Sequence, residues 1–331
     1  MPFCRMVAVV ALSLLGAFPA VGKDMAEWQR PLTIPFPDAA PYDPRIAGLG
    51  KMLFFDPRLS GAQNMSCASC HNPSFGWETP VDRAVGAAGV PLGRSAPTTL
   101  NMAWGGPLFF WDGRAHSLED QAGGPIQAAA EMNASFPQVI ARLGQVPEYQ
   151  QWFDALFPGV GMTEATIRRS IATYERTIVA GWAPFDRWVD GDKDAISASA
   201  QRGFDLFTGS AGCGGCHTGW NFSSGDFEDI GLGDGDTGRA GITNVPMDAH
   251  KFKSPGLRNI ALRAPYMHNG ALPTLDAVVR HYATGGVNRP TRAAKVKPFE
   301  VTEQQVADLV AFLESLTEEE TVIFTPILPT N

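Results

Sequence analysis

Two short pentads in the sequence each place two cysteines and a histidine in the same spacing. They read Cys67-Ala-Ser-Cys70-His71 and Cys213-Gly-Gly-Cys216-His217. Cysteines three residues apart lie on one helical turn, so that both thiols can form thioethers with the vinyl groups of one porphyrin. The histidine that follows then directs its imidazole at the iron from the same side. This spacing is the attachment signature of a c-type haem, and it predicts two haem c groups with His71 and His217 as iron ligands.

The cysteines also allow two other chemistries. Four cysteines of an exported protein can form two disulfides, and two Cys-x-x-Cys hooks can bind zinc. Neither alternative needs a histidine directly after each second cysteine, and this chain has one in both places. The repeated histidine favours haem. The fifth cysteine, Cys4, lies near the N-terminus, so no disulfide is expected once both haems are attached.

Composition limits the classes of partner and the compartment. The 331-residue chain is 44% hydrophobic and 18% charged, which predicts folded domains. Its net charge of −8 argues against nucleic acid or an anionic membrane surface as partner. Arg5, the apolar run from Met6 to Phe18 and the small residues around Gly22 predict a signal peptide over residues 1–22 and a periplasmic mature protein. No later run is long enough to predict a membrane span.

Helical periodicity dominates the rest of the chain, and alternating strand patterns are few. The sequence therefore predicts a mostly α fold of two cytochrome c-like domains, residues 23–190 and 191–331, each with one covalent haem. Two long glycine-rich loops, 72–97 and 219–254, are expected to pack on the haem edges. The predicted helices are Pro41 to Phe55, Phe136 to Leu143, Pro147 to Phe157, Thr163 to Val179, Ser197 to Phe207, Thr274 to Ala283 and Thr302 to Leu316.

Several longer motifs, together with the pentads, resemble those of the bacterial dihaem cytochrome c peroxidase and MauG family. The motifs are LGKMLFFDPRL at 49–59, FWDGR at 110–114, GPIQAAAEM at 124–132, SPGLRN at 254–259 and PYMHNG at 265–270. The resemblance runs from about residue 40 to the C-terminus. It implies a peroxidatic haem in the N-terminal half, an electron-transfer haem in the C-terminal half, and a last helix that packs on the first domain.

Two departures from the usual family pattern refine this expectation. The family usually carries a histidine in the loop after the first pentad, which caps the resting iron, whereas residues 72–97 contain none. The first iron is therefore expected to be open. Where the family usually has a methionine ligand to the second iron, this chain has Tyr282. A tyrosine there resembles the MauG branch and implies a phenolate ligand, with His281, His268 and Met267 as the competing candidates.

The resemblance also implies roles for three residues near the haems. Glu131 and Gln121 match the positions that face the open iron, where a carboxyl group can move a proton between the two oxygens of peroxide. Burial is expected to raise the pKa of Glu131 toward the useful range. Trp111 matches the aromatic residue between the haems and is expected to relay electrons.

A calcium ion between the domains is typical of the family, with oxygen ligands from a side-chain amide, backbone carbonyls and water. Arg263 and Pro265 match the carbonyl positions. Ser95 lies where the family usually has an asparagine, so that a hydroxyl replaces the amide in the expected site.

Three functions follow as hypotheses. The first is a MauG-type enzyme that uses hydrogen peroxide to oxidise a protein, completing the tryptophan tryptophylquinone cofactor of a methylamine dehydrogenase precursor. The second is a peroxidase that reduces peroxide with electrons from a small cytochrome or cupredoxin. The third is an electron-transfer cytochrome without turnover, which the open first iron argues against.

Overall fold

The computed structural model describes residues 25–319 and 323–330 and is mostly helical, as expected. The predicted signal segment, residues 1–22, lies outside these residues. The helices are α1 (Pro44–Phe55), α2 (Cys67–Cys70), α3 (Leu118–Gln127), α4 (Phe136–Leu143), α5 (Pro147–Leu156), α6 (Glu164–Thr177), α7 (Pro184–Val189), α8 (Ala198–Thr208), α9 (Ala240–Thr243), α10 (Leu275–Thr284) and α11 (Glu303–Glu314). Strands β1 (Phe227–Glu228) and β2 (Phe252–Lys253) form one short antiparallel pair. Among the described helices, none has the length and apolar character needed to cross a bilayer.

The apolar side chains form two main clusters along the chain. One cluster runs from Ile46 to Ala180, and the other combines Trp28 with residues from Phe185 to Leu316. The division therefore falls between Ala180 and Phe185, a few residues before the expected boundary at residue 190. Helix α7 packs with the second cluster because Phe185 and Val189 are both buried in it.

The first core is built on the crossing of α1 and α6. Helix α1 begins after Asp43, whose carboxylate accepts a hydrogen bond from the Arg45 amide at 2.8 Å, with Pro44 in the first turn. At Gly50, a Cβ atom would lie 1.8 Å from the Ser170 carbonyl oxygen of α6. The two helices therefore approach at a distance that only glycine permits.

The second core contains a similar close helix crossing at a glycine, between α8 and α11. A Cβ atom at Gly203 would lie 1.9 Å from the Asp308 carbonyl oxygen. The last described helix thus packs on α8 and α10, and the expected packing of this helix on the first domain is wrong. Its buried residues Leu309 and Phe312 face the second cluster instead. Contact with the first half comes from the segment 323–330, where the Pro329 carbonyl accepts a hydrogen bond from Arg58 at 2.9 Å.

Helix α3 is absent from the predicted helices, although it carries one of the candidate site residues. Its sequence contains Gly123, Gly124 and Pro125, which are poor helix formers. The Ser117 side chain caps the first turn by accepting from the Asp120 amide at 3.0 Å, and acidic residues there suit the helix dipole. At Gly123 a Cβ would lie 2.2 Å from the Arg168 guanidinium carbon of α6. Close packing on α6 thus explains a helix that propensity does not predict.

The α1–α6 contact predicts opposite effects for two glycines of the same helix. Gly50→Ala is expected to lower the free energy of unfolding by about 1–3 kcal/mol, because the added methyl group overlaps the α6 backbone. Gly48→Ala is the matched control, since a Cβ atom there would meet nothing within 4 Å and alanine favours helix by up to about 1 kcal/mol. Denaturant unfolding of the holoprotein, followed by circular dichroism, measures both. Equal stability of the two variants would contradict this account of the crossing.

Candidate haem sites

The first pentad forms the short helix α2 and ends at His71. The His71 amide donates to the Cys67 carbonyl at 2.9 Å, which places the imidazole directly after the helical turn. The His71 Nδ1 lies 3.4 Å from the Trp77 carbonyl oxygen, an arrangement that leaves Nε2 for a metal. Burial lowers the pKa of His71 to about 4, so that the ring is neutral, as an iron ligand must be. Cys67 and Cys70 form no disulfide within the described part of the chain.

A cavity of about 530 Å³ opens beside this pentad, which we name the N-terminal cavity. It brings together Cys67, Cys70 and His71 with three predicted site residues, Gln121, Glu131 and Trp111. Among the described residues that line it, His71 is the one histidine. Burial raises the pKa of Glu131, and the positive charge of Arg114 opposes that rise. The cavity therefore combines a ligand on one wall with a carboxyl group suited to proton transfer.

The second pentad begins with the 3₁₀ turn Cys213–Gly215, and its histidine is held in the same way. The Nδ1 of His217 lies 2.9 Å from the Phe222 carbonyl oxygen, again leaving Nε2 for a metal. Burial lowers the pKa of His217 below its ordinary value. Cys213, Cys216 and His217 line a second cavity of about 180 Å³, which we name the C-terminal cavity.

The four candidates for the sixth ligand of the second iron have different surroundings, and three of them line the C-terminal cavity. Tyr282 lines the C-terminal cavity, whereas its neighbour His281 does not and has its Nε2 3.0 Å from the Ile230 carbonyl oxygen. His268 and Met267 also line the cavity. The His268 Nε2, however, lies 2.7 Å from the Asp234 carboxylate, and its ring stacks on Phe252 at 3.6 Å between centroids. Both imidazoles are therefore engaged elsewhere.

Trp111 lines both cavities and so forms part of the wall between them. Its indole Nε1 donates to the Ser95 carbonyl at 2.9 Å, and its own carbonyl accepts from the Lys253 amide at 2.8 Å. Residue Phe110 just before it has a left-handed backbone with φ of 67°. The tight turn and the two hydrogen bonds fix the indole between the halves of the chain.

Ion pairs that the sequence did not predict hold the loop 72–97 against the second half. Arg94 contacts the Asp112 carboxylate at 2.7 Å and the Asp236 carboxylate at 2.6 Å. The Ser95 amide donates to the His268 carbonyl at 2.8 Å. No periodic signal marks these residues, because they lie in loops far apart in sequence. The network fixes the backbone that holds the indole of Trp111.

The three residues predicted for calcium lie near this loop. The Ser95 hydroxyl donates to the Met267 carbonyl at 3.1 Å, and Arg263 and Pro265 line the C-terminal cavity. The Arg263 Nε lies 3.6 Å from the Glu78 carboxylate, whose pKa burial raises to about 6 against the charge of Arg263. Within the described part of the chain, no cluster of three acidic, histidine or cysteine side chains could hold a metal ion.

Both cavities have the donor set that a c-type haem requires. Each has two cysteine side chains that form no disulfide among the described residues, one neutral imidazole whose Nε2 remains available, and a wall formed largely by apolar side chains. In the C-terminal cavity these include Phe207, Leu257, Ile260, Val279 and Leu309. The residues present therefore fit one haem in each half.

Comparison with known proteins supports this assignment. A family model described as di-haem cytochrome c peroxidase matches residues 44–194, and a cytochrome c model matches residues 200–317. The methylamine utilization protein MauG of Methylorubrum extorquens is 49% identical, over 92% of this chain and 87% of the relative. The protein of the same name from Methylophilus methylotrophus is 39% identical, over 92% and 91%.

A solved structure gives the same result for the fold. A MauG-like protein associated with microbial copper homeostasis superimposes with a TM-score of 0.81 at 30% identity, covering 88% of this chain and 95% of that protein. The two pentads and these matches describe a haem-dependent, peroxidase-type oxidoreductase with two haem c groups. The chain belongs to the dihaem cytochrome c peroxidase and MauG family.

Proposed function

We propose that this chain is a periplasmic MauG-type enzyme that uses hydrogen peroxide to oxidise a protein partner. Its proposed substrate is a methylamine dehydrogenase precursor, in which it completes the tryptophan tryptophylquinone cofactor. The observation that carries the proposal is the difference between the cavities. A carboxyl group and an amide face the N-terminal cavity, whereas a phenol lines the C-terminal one and the neighbouring imidazole of His281 turns away. Similarity to two MauG proteins supports the same choice.

The proposed roles in the N-terminal half concern peroxide and its protons. Bound haem supplies the redox chemistry, with His71 and His217 as the proximal ligands of the two irons. Glu131 accepts the proton of one peroxide oxygen and returns it to the other, which then leaves as water. The Gln121 amide, which cannot titrate, orients peroxide by hydrogen bonding.

The proposed roles in the C-terminal half concern electrons. Tyr282 would hold the second iron through its phenolate oxygen, an anionic ligand that would favour the oxidised metal. Trp111, which lines both cavities, relays electrons between them. A partner protein can then be oxidised at a distance from peroxide.

We also propose one calcium ion between the halves, bound by the Ser95 hydroxyl and the carbonyl oxygens of Arg263 and Pro265. Oxygen donors of this kind suit calcium, with water completing the shell. The Ser95 hydroxyl donates to the Met267 carbonyl and would turn to bind the ion. Metal analysis of the purified holoprotein is expected to find one calcium per chain, and a chelator is expected to slow electron transfer between the haems. A calcium-free holoprotein with full activity would exclude this site.

The function is tested with purified holoprotein, peroxide and the methylamine dehydrogenase precursor. Wild-type protein is expected to generate the absorption of the quinone cofactor in the precursor. Glu131→Gln is expected to slow the reaction about 10²–10⁴-fold, because it removes the proton-transfer group, whereas Glu148→Gln on the exposed face of α5 leaves the rate unchanged. Rapid oxidation of a reduced small cytochrome or cupredoxin without reaction of the precursor would instead identify an ordinary dihaem peroxidase.

The ligand assignment predicts different results for two adjacent residues. Tyr282→Phe removes the anionic oxygen and is expected to raise the reduction potential of the second haem by about 100 mV or more. His281→Phe is the matched control and is expected to leave the potential unchanged, because that ring contacts the Ile230 carbonyl and does not line the cavity. Spectroelectrochemistry with paramagnetic resonance measures both variants. A shift confined to His281→Phe would assign the ligand to the histidine.

A further inference from the structure

One buried acid of the N-terminal cavity has no part in the chemistry described so far. Glu175 lies near the end of α6, is 4% exposed and lines the cavity together with Glu131 and Gln121. Its Oε2 is buried and has no hydrogen-bond partner among the described residues. An ionised carboxylate with an unpartnered buried oxygen is costly, whereas a protonated one is tolerated.

Arg176, the cation next to Glu175 in sequence, already has an anionic partner. Arg176 forms a two-pronged ion pair with Glu119 of α3, at 2.8 and 3.0 Å. Its positive charge is therefore largely neutralised, and the charge of Glu119 itself disfavours a second anion nearby. The C-terminal end of α6 also carries the negative end of the helix dipole.

Geometry and charge therefore act in the same direction on this carboxyl group. Burial raises the pKa of Glu175 to about 8, with Arg176 opposing the rise and Glu119 adding to it. Among the other elements packed on α6, α1 brings Arg45 and Lys51 and α3 also brings Asp120, none of which is among the charges that act on Glu175, and the 3₁₀ turn Met102–Trp104 has no titratable side chain. The Cys67 thiol of α2 and the adjacent Tyr174 phenol do interact with Glu175, and burial raises the pKa of both, so that neither brings a negative charge. At neutral pH the Glu175 carboxyl group holds a proton inside the cavity.

The net reaction requires such protons. Hydrogen peroxide takes up two electrons and two protons to become two molecules of water, and in the proposed function the electrons come from the protein partner. Glu131 moves a proton from one peroxide oxygen to the other, which adds none to the total. The two protons of the net reaction therefore enter from another source, and a buried acid of the cavity can deliver them from solvent.

We propose that Glu175 stores a proton in the N-terminal cavity and donates it to a peroxide oxygen, and that Glu119 preserves this store by occupying Arg176. In this step the O–H bond of the carboxyl group breaks and the proton joins the remaining peroxide oxygen, which does not receive the proton carried by Glu131 and which becomes the second water once two electrons and a second proton are supplied. The carboxylate then regains a proton from solvent. This inference rests on the proposed use of peroxide but not on the identity of the protein partner.

The first test is infrared spectroscopy of the ferric holoprotein at neutral pH, which needs no turnover. Wild type and the exposed control Glu148→Gln are expected to show the carbonyl stretch of a protonated acid, and Glu175→Gln is expected to lose it. Glu119→Gln frees Arg176 to pair with Glu175, so the same band is expected to weaken. An identical acid band in wild type and Glu175→Gln would overturn the inference.

The second test is the reaction of peroxide with the fully reduced holoprotein, whose two haems supply both electrons, across pH, followed by stopped flow with a proton-sensitive dye. In wild type the rate of proton uptake is expected to fall as pH rises through about 8, because the stored proton is lost there. Glu175→Gln is expected to be about 10-fold slower at neutral pH and to lack that titration. A wild type that consumes no peroxide would overturn the proposed function and this inference together. A Glu175→Gln variant that matches wild type would overturn the inference alone.

Discussion

The organisation of this protein depends on one shared wall between two cavities. Trp111 lines both of them and is held from both sides, by the Ser95 carbonyl of the first half and by the Lys253 amide of the second. The indole N–H is bonded within the first half, and the backbone carbonyl of Trp111 is bonded to the second half. The two halves therefore cannot shift without breaking the bond from Lys253 to Trp111. The ion pair of Arg94 with Asp236 adds a charge-assisted contact across the same boundary, and Asp112 holds Arg94 from within the first half.

The histidines of the two pentads show how local sequence prepares each cavity before a haem is attached. In both, a backbone carbonyl a few residues downstream, of Trp77 or of Phe222, lies next to Nδ1. Burial keeps each ring neutral, so that Nε2 is a ready ligand. The pentad alone thus determines the attachment chemistry, while the loop that follows it determines the orientation of the imidazole.

Prediction from the sequence succeeded where the signal is local. The pentads and the long amphipathic helices, such as α6 and α11, follow from spacing and periodicity alone. Helix α3 was missed because Gly123, Gly124 and Pro125 oppose helix formation locally, and its stability comes from packing on α6. The choice of Tyr282 over His281 came from family resemblance, since chemistry alone favours imidazole. The contacts of Arg94 and the surroundings of Glu175 depend on tertiary packing, which leaves no local pattern in the sequence.

In the proposed function, proton transfer takes place in the N-terminal cavity and electron storage in the C-terminal cavity. Around the N-terminal cavity, Glu131 and Glu175 both have raised pKa values through burial, so this side favours groups that carry protons. Around the C-terminal cavity, burial raises the pKa of the Tyr282 phenol, so that its ionisation would depend on a bound cation such as a haem iron. Protons move only between groups in hydrogen-bond contact, whereas electrons cross an aromatic wall. In the proposed function, Trp111 lies between Glu131 and Glu175, which are assigned to peroxide, and Tyr282, which is assigned to the second iron, so that peroxide can react in one half while a partner protein is oxidised through the other.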